Sequence, residues 1–61
     1  MKIDKLTDAM KEAERFLVKA EVACHSLRTD KFAYMSGTKE TGACRRASMD
    51  LTRALAELRK P

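Results

Sequence analysis

The sequence contains few aromatic residues and few residues that interrupt helices. Among 61 residues there is no Trp, one Tyr and two Phe. Proline occurs only at Pro61, and glycine only at Gly37 and Gly42. The first 36 residues therefore hold no helix breaker, and Leu, Ala, Met, Ile and Val must form the core. We expect one all-α domain over residues 1–61.

Residues that could carry out catalysis or bind a metal are scarce. His25 is the only histidine, and no nucleophile or carboxylate stands beside it in a catalytic pattern. A structural zinc site needs four ligands, whereas the soft ligands here are only Cys24, His25 and Cys44. A glycine-rich phosphate loop is also lacking. We therefore expect no enzyme activity, no metal and no cofactor.

Long apolar runs are absent too. No run approaches the roughly 20 residues that a membrane-spanning helix needs, and residues 1–14 alternate charged and apolar side chains, unlike a signal peptide. Two cysteines are too few for a disulfide framework. Cys24 and Cys44 lie at different heights along the hairpin predicted below, although a bend of the first helix at Thr29 would bring them closer. We expect a cytoplasmic protein with reduced thiols and no membrane partner.

The first part of the chain has the apolar spacing of a long helix. Its apolar residues alternate steps of three and four, which is a heptad seam: Ile3, Leu6, Met10, Ala13, Leu17, Ala20, Cys24 and Leu27. We predict a helix over about 3–34, a turn at 36–38 in which Gly37 takes a positive φ, and a second helix over about 39–59. The short connection makes the pair an antiparallel hairpin.

The second helix also has one apolar face, formed by Cys44, Ala47, Leu51, Ala54, Leu55 and Leu58. Gly42 near its start costs about 1 kcal/mol relative to Ala. That cost predicts the close approach of another backbone, or of a ligand, at this glycine.

Three apolar side chains of the first helix, Phe16, Val18 and Val22, lie off the seam. They widen the apolar surface beyond what one partner helix covers. Because a chain this short is also marginally stable alone, we predict a homodimer in the form of a four-helix bundle. Phe16, Val18 and Val22 are the predicted dimer or partner interface.

The basic charge is concentrated in the second half. Residues 1–30 carry six basic and six acidic side chains, whereas residues 31–61 carry seven and three, which accounts for the net charge of +4. Lys39, Arg46, Arg53 and Lys60 recur every seventh residue and so lie nearly in line on a helix; we call these four the basic ridge. Arg45 and Arg59 widen it. Such a surface suits non-specific phosphate contacts, although Asp50 and Glu57 make an ordinary solvated helix face an alternative.

A resemblance supports the first interpretation. The second half of the chain contains Gly37-x-Lys39-x-x-Gly42-x-x-x-Arg46, followed by Leu51, Leu55 and Glu57-Leu58-Arg59-Lys60. In these residues it resembles the helical segment of bacterial linker-histone-like nucleoid proteins of the chlamydial type. The match covers about 24 residues. It departs from the family at Cys44, in place of an arginine, at the acidic Glu40, and in lacking a Lys/Ala/Pro-rich tail. The resemblance implies DNA compaction, with Lys39, Arg45, Arg46 and Arg53 contacting phosphates.

Two functions remain open on this basis. The first is a small DNA-binding protein, nucleoid-associated (histone-like) or a phage-type accessory protein, with Lys39, Arg45, Arg46, Arg53, Arg59 and Lys60 as its nucleic-acid contacts. The alternative is a non-enzymatic helical module that regulates or binds a protein partner through its open seam.

Overall fold

Two helices packed side by side make up the computed structural model of this chain, which describes residues 1–29 and 39–60. Helix α1 is Ile3–Thr29 and helix α2 is Lys39–Arg59. No strand occurs in these two ranges, so the predicted all-α, two-helix architecture is confirmed. The predicted end of the first helix near residue 34 and the predicted turn at 36–38 lie outside the described residues.

The helices run antiparallel. Lys5, near the start of α1, lies across a groove from Glu57, near the end of α2. In the middle Arg15 is bonded to Asp50, and further along Val22 lies across from Ala43. Two antiparallel helices side by side give an elongated molecule, with dimensions of 45 × 15 × 12 Å.

The most deeply buried side chains in the contact between the helices are small. Ala9 and Ala23 of α1 and Ala47 of α2 are buried, and Ala47 has no exposed surface. Phe16, halfway between Ala9 and Ala23 in sequence, is half-buried. Alanines let two helices approach closely, because the distance between helix axes depends on the side chains between them. The resulting core is thin, and within the described residues no large side chain is fully buried.

This contact corrects the predicted role of the heptad seam in α1. The residues of α1 that face α2, the buried Ala9 and Ala23 and the half-buried Phe16, are displaced by one residue from Met10, Leu17 and Cys24. One residue corresponds to a rotation of about 100° around the helix. Met10 and Leu17 are therefore 57% and 59% exposed. The alanines of α1 permit the closer approach of α2, so the larger seam residues are turned outward.

In α2 the predicted apolar face packs against α1, except for Leu55, which is 38% exposed. The expected close backbone approach at Gly42 is absent from the described residues, because a Cβ built there meets no atom within 4 Å. The part of that prediction that concerned a ligand stays a prediction. Gly42 occupies an exposed position in the first turns of α2, where its cost in helix stability is not offset by an internal contact.

Candidate nucleic-acid interface

All six basic residues proposed from the sequence lie in or directly after α2 and are exposed. The basic ridge spans roughly 31 Å at about 1.5 Å per residue, with neighbours about 10 Å apart along the helix axis. A step of seven residues changes the angular position by only about 20°, so Lys39, Arg46, Arg53 and Lys60 open on the same side of α2. That alignment gives the protein one linear cationic surface.

Arg45 and Arg59 are less well placed to join the ridge. Each precedes a ridge residue, and one residue corresponds to a rotation of about 100° around the helix. Arg45 therefore points away from α1, and Arg59 lies toward the side opposite the ridge. Four of the six predicted contact residues therefore lie in one line, whereas Arg45 and Arg59 lie on other sides of α2.

The bonding partner of Asp50 determines whether Arg46 and Arg53 are free to bind an external anion. Arg15 Nη1 donates a hydrogen bond to Asp50 Oδ2 at 2.8 Å across the helix contact, and another to Glu12 Oε2 at 3.1 Å. The Arg15 guanidinium beside Asp50 holds the pKa of that carboxyl below its ordinary value of 3.8, and the charges of Arg46 and Arg53 lower it further. Asp50 is thus ionised at neutral pH but bonded to α1.

Because Asp50 is bonded to Arg15, it does not neutralise the ridge by direct contact. Among residues 1–29 and 39–60, no carboxylate oxygen lies within 4.0 Å of the guanidinium of Arg46 or Arg53. At the end of the ridge the outcome differs, because Lys60 Nζ donates to Glu57 Oε1 at 2.9 Å. This bond holds the pKa of Glu57 below its ordinary range. Arg46 and Arg53 are therefore the ridge cations best placed to meet an external anion.

Arg15 is the functional residue that the sequence analysis missed. Its pairing with Glu12 follows from helix spacing, whereas its partner Asp50 is 35 positions away. Only the register of the two helices brings Arg15 and Asp50 together. The signal present in the sequence was an Asp on α2 that does not sit on its apolar face.

A groove of about 350 Å³ runs beside the ridge between the helices. It is lined by Lys5, Asp8, Lys11, Glu12, Asp50, Arg53, Ala54 and Glu57. Four acidic and three basic side chains nearly cancel there and leave one net negative charge, so the groove itself does not attract a polyanion. Arg53 lines this groove and also belongs to the ridge, which shows that the ridge opens on the groove side of the hairpin.

The predicted partner residues Phe16, Val18 and Val22 do not share one surface. Phe16 lies on the side of α1 that packs against α2, and Val18 is 57% exposed. Val22 is 47% exposed and borders a smaller depression with Lys39 and Glu40. Their role as an interface stays a prediction.

Both cysteines are free; Cys24 is exposed and Cys44 half-buried. In the described ranges, no three His, Cys, Asp or Glu side chains are grouped so that they could hold a metal ion. Neither α1 nor α2 has the length and apolar character needed to cross a membrane.

Comparison of the chain with protein-family models, with curated proteins and with solved structures finds no match.

Proposed function

We propose that this protein is a small, non-enzymatic DNA-binding protein, nucleoid-associated or a phage-type accessory protein, that contacts phosphates through the basic ridge without strong base preference. The observation that carries the proposal is that Arg46 and Arg53 are exposed while Asp50, which lies three or four residues from each on the same helix, is bonded instead to Arg15. A spacing of about 10 Å between ridge residues corresponds to roughly three nucleotide steps along one strand. Neighbouring ridge side chains can therefore reach phosphates that are about three steps apart on one strand.

The resemblance to linker-histone-like proteins supports the same function, because its motif includes the ridge residues Lys39, Arg46 and Lys60. We further propose that the protein acts as a homodimer in a four-helix bundle, since the alanine contact within one hairpin buries little. The cellular site that this function implies is the nucleoid.

The test is duplex-DNA binding by fluorescence anisotropy at several salt concentrations, with sizing of the same sample. Four phosphate contacts predict that log K falls with log salt with a slope of about −3 to −4. Replacing Arg46 and Arg53 by Glu should abolish binding. The matched control, Lys2→Glu with Arg28→Glu, has the same net charge but leaves the two arginines of the ridge in place.

Equal losses in the two double variants would mean that net charge alone drives binding, and they would overturn the ridge. Absence of wild-type binding even at low salt would leave the ridge as a solvated helix face. Including an RNA duplex in the titration shows whether the ridge distinguishes the two nucleic acids.

A second candidate function is favoured by a specific observation, the exposure of large apolar side chains on α1. A protein–protein or regulatory module would use them to bind a partner helix, with Val18 and Val22 as further contacts. Binding of that kind depends on apolar burial and is nearly independent of salt. The salt series therefore separates the two functions.

A further inference from the structure

One side of α1 carries a line of apolar residues that the hairpin leaves uncovered. Ile3, Met10, Leu17 and Cys24 recur every seventh residue and are all exposed, with Ile3 at 82%. Leu6, beside them, is 40% exposed. We call these five residues the apolar stripe. The four spaced by seven extend over roughly 31 Å of the helix at about 1.5 Å per residue.

The apolar stripe and the basic ridge open on opposite sides of the hairpin. Arg15 reaches α2 on the groove side, where Arg53 also lies. Leu6, Met10 and Leu17 are roughly 140–180° from Arg15 around α1, at about 100° per residue. Leu55, the one exposed member of the apolar face of α2, lies on the same side as the stripe by the same geometry.

The exposed area favours a second copy as the occupant of this side. The chain exposes 5137 Å², whereas a compact monomer of 6.9 kDa exposes about 4,000 Å². Pairing two hairpins through the apolar stripe would bring the exposed area per chain toward that value, and a standard stable interface buries roughly 800 Å² per partner. Apolar residues that repeat every seven positions also allow a helix to pack against the same helix of a second copy. The apolar stripe of each copy would then contact the stripe of the other.

We infer that a second copy of this chain covers the apolar stripe, and that the dimer thereby presents two basic ridges on opposite outer faces and bridges two DNA duplexes. Joining the stripe sides face to face leaves each ridge on the outside of the bundle. One duplex then binds to each face. The inference rests on the proposed DNA binding and adds to it a bivalent geometry and an interface distinct from Phe16, Val18 and Val22.

The experiment measures whether a duplex fixed to beads retains a second, labelled duplex in the presence of the full chain. Wild type should capture the labelled duplex at intermediate protein concentration and lose it at excess, when separate dimers occupy each duplex. Met10→Glu with Leu17→Glu should elute as a monomer and still bind one duplex by anisotropy. Its capture should fall by about tenfold or more, because the two sites are no longer linked.

Val18→Glu with Val22→Glu is the matched control, since it introduces the same two charges on α1 away from the apolar stripe. It should remain dimeric and retain wild-type capture. A monomeric Val18/Val22 variant beside a dimeric Met10/Leu17 variant would overturn the apolar stripe as the interface. Undiminished capture by the monomeric Met10/Leu17 variant would overturn bridging by the dimer.

Circular dichroism and sizing in the absence of DNA separate loss of folding, loss of the dimer and loss of DNA binding. If the glutamate variant of Met10 and Leu17 loses its helical circular dichroism, Met10→Gln with Leu17→Gln replaces it. Sizing of wild type needs no DNA, so failure of duplex binding with an intact dimer would refute the proposed function and the bridging, but not the apolar stripe as the dimer interface. A wild-type chain that is monomeric at tens of micromolar would refute the interface, whatever its affinity for DNA.

Discussion

The side chain of Asp50 affects both the contact between the two helices and the charge of the basic ridge. Its bond to Arg15 links α1 to α2 and leaves this carboxylate without a direct ion pair to Arg46 or Arg53. The positions of the ridge could be predicted from the spacing of basic residues alone. The Arg15–Asp50 pair could not, because it depends on how far one helix is displaced along the other.

The lowered pKa of Asp50 predicts an acid-sensitive hairpin. A carboxyl group whose pKa is lower in the folded than in the unfolded chain stabilises the fold at a pH above its unfolded pKa, which is 3.8 for Asp50. This stability is lost as the pH falls through the lower pKa of the folded state. Wild type should therefore unfold at lower urea at pH 3 than at pH 7, and Asp50→Asn should reduce that difference. Glu14→Gln, which removes a carboxyl without an ion pair in the described residues, is the control. An unchanged pH dependence in Asp50→Asn would contradict the role of the pair.

Arg53 provides the corresponding prediction for binding. Arg53→Gln removes one phosphate contact, so the salt dependence of log K should become shallower by about 1. Affinity should fall similarly for unrelated duplex sequences, because phosphate contacts carry no base information. Arg28→Gln has the same net charge but lies at the end of α1, and anisotropy titrations should give it a wild-type slope. Equal slopes for Arg53→Gln and wild type would place the phosphates elsewhere.

At the scale of the helices, the spacing of apolar residues predicted which face of α2 is buried better than it predicted which face of α1 is buried. In α2 the apolar and basic residues lie on separate faces, so one of its sides alone suits a core. In α1 two apolar sides compete, one rich in alanine and one carrying Met10 and Leu17. The heptad pattern identifies the side with the larger residues, whereas contact distance favours the alanine side for α2. Packing determines which side of α1 contacts α2, and the spacing of apolar residues alone does not specify it.

The alanine contact predicts a strong difference between two substitutions in α2. Ala47 has no exposed surface, whereas Ala56 is exposed. Ala47→Leu should destabilise the hairpin by about 1–3 kcal/mol because the extra carbons force the helices apart, whereas Ala56→Leu should change stability by less than about 0.5 kcal/mol. Urea unfolding followed by circular dichroism measures both. Similar values for the two variants would show that α1 and α2 are not in close contact at Ala47.

Gly42 predicts a gain in helix stability. A Cβ at this position meets open space, so Gly42→Ala should stabilise α2 by about 0.5–1 kcal/mol through its higher helix propensity. The melting temperature should rise by several degrees, as is typical for about 1 kcal/mol in a domain of this size. Because Gly42 lies near the ridge side of the helix, DNA titration of the same variant tests the ligand approach predicted from the sequence. Unchanged affinity with a higher melting temperature would exclude a requirement for glycine there.

At the scale of the whole molecule, the hairpin separates its two surfaces by charge. The basic ridge opens on one side and the apolar stripe on the other, so self-association and polyanion binding need not compete. The separation could be read only in part from the sequence. The helical spacing places each set of residues on its own helix, but the angle between the two sets depends on which side of α1 packs against α2.

This arrangement predicts that stability depends on protein concentration. If a second copy covers Met10 and Leu17, the dimer is favoured by mass action and the melting temperature should rise across a hundredfold range of concentration. Met10→Glu with Leu17→Glu should melt lower at high concentration and show no such rise, because two charges cannot be buried in an apolar interface without partners. Val18→Glu with Val22→Glu should keep the wild-type dependence. A wild-type melting temperature that is constant over that range would show that the thin alanine contact suffices to hold the hairpin, and that the apolar stripe remains open to a partner other than its own copy.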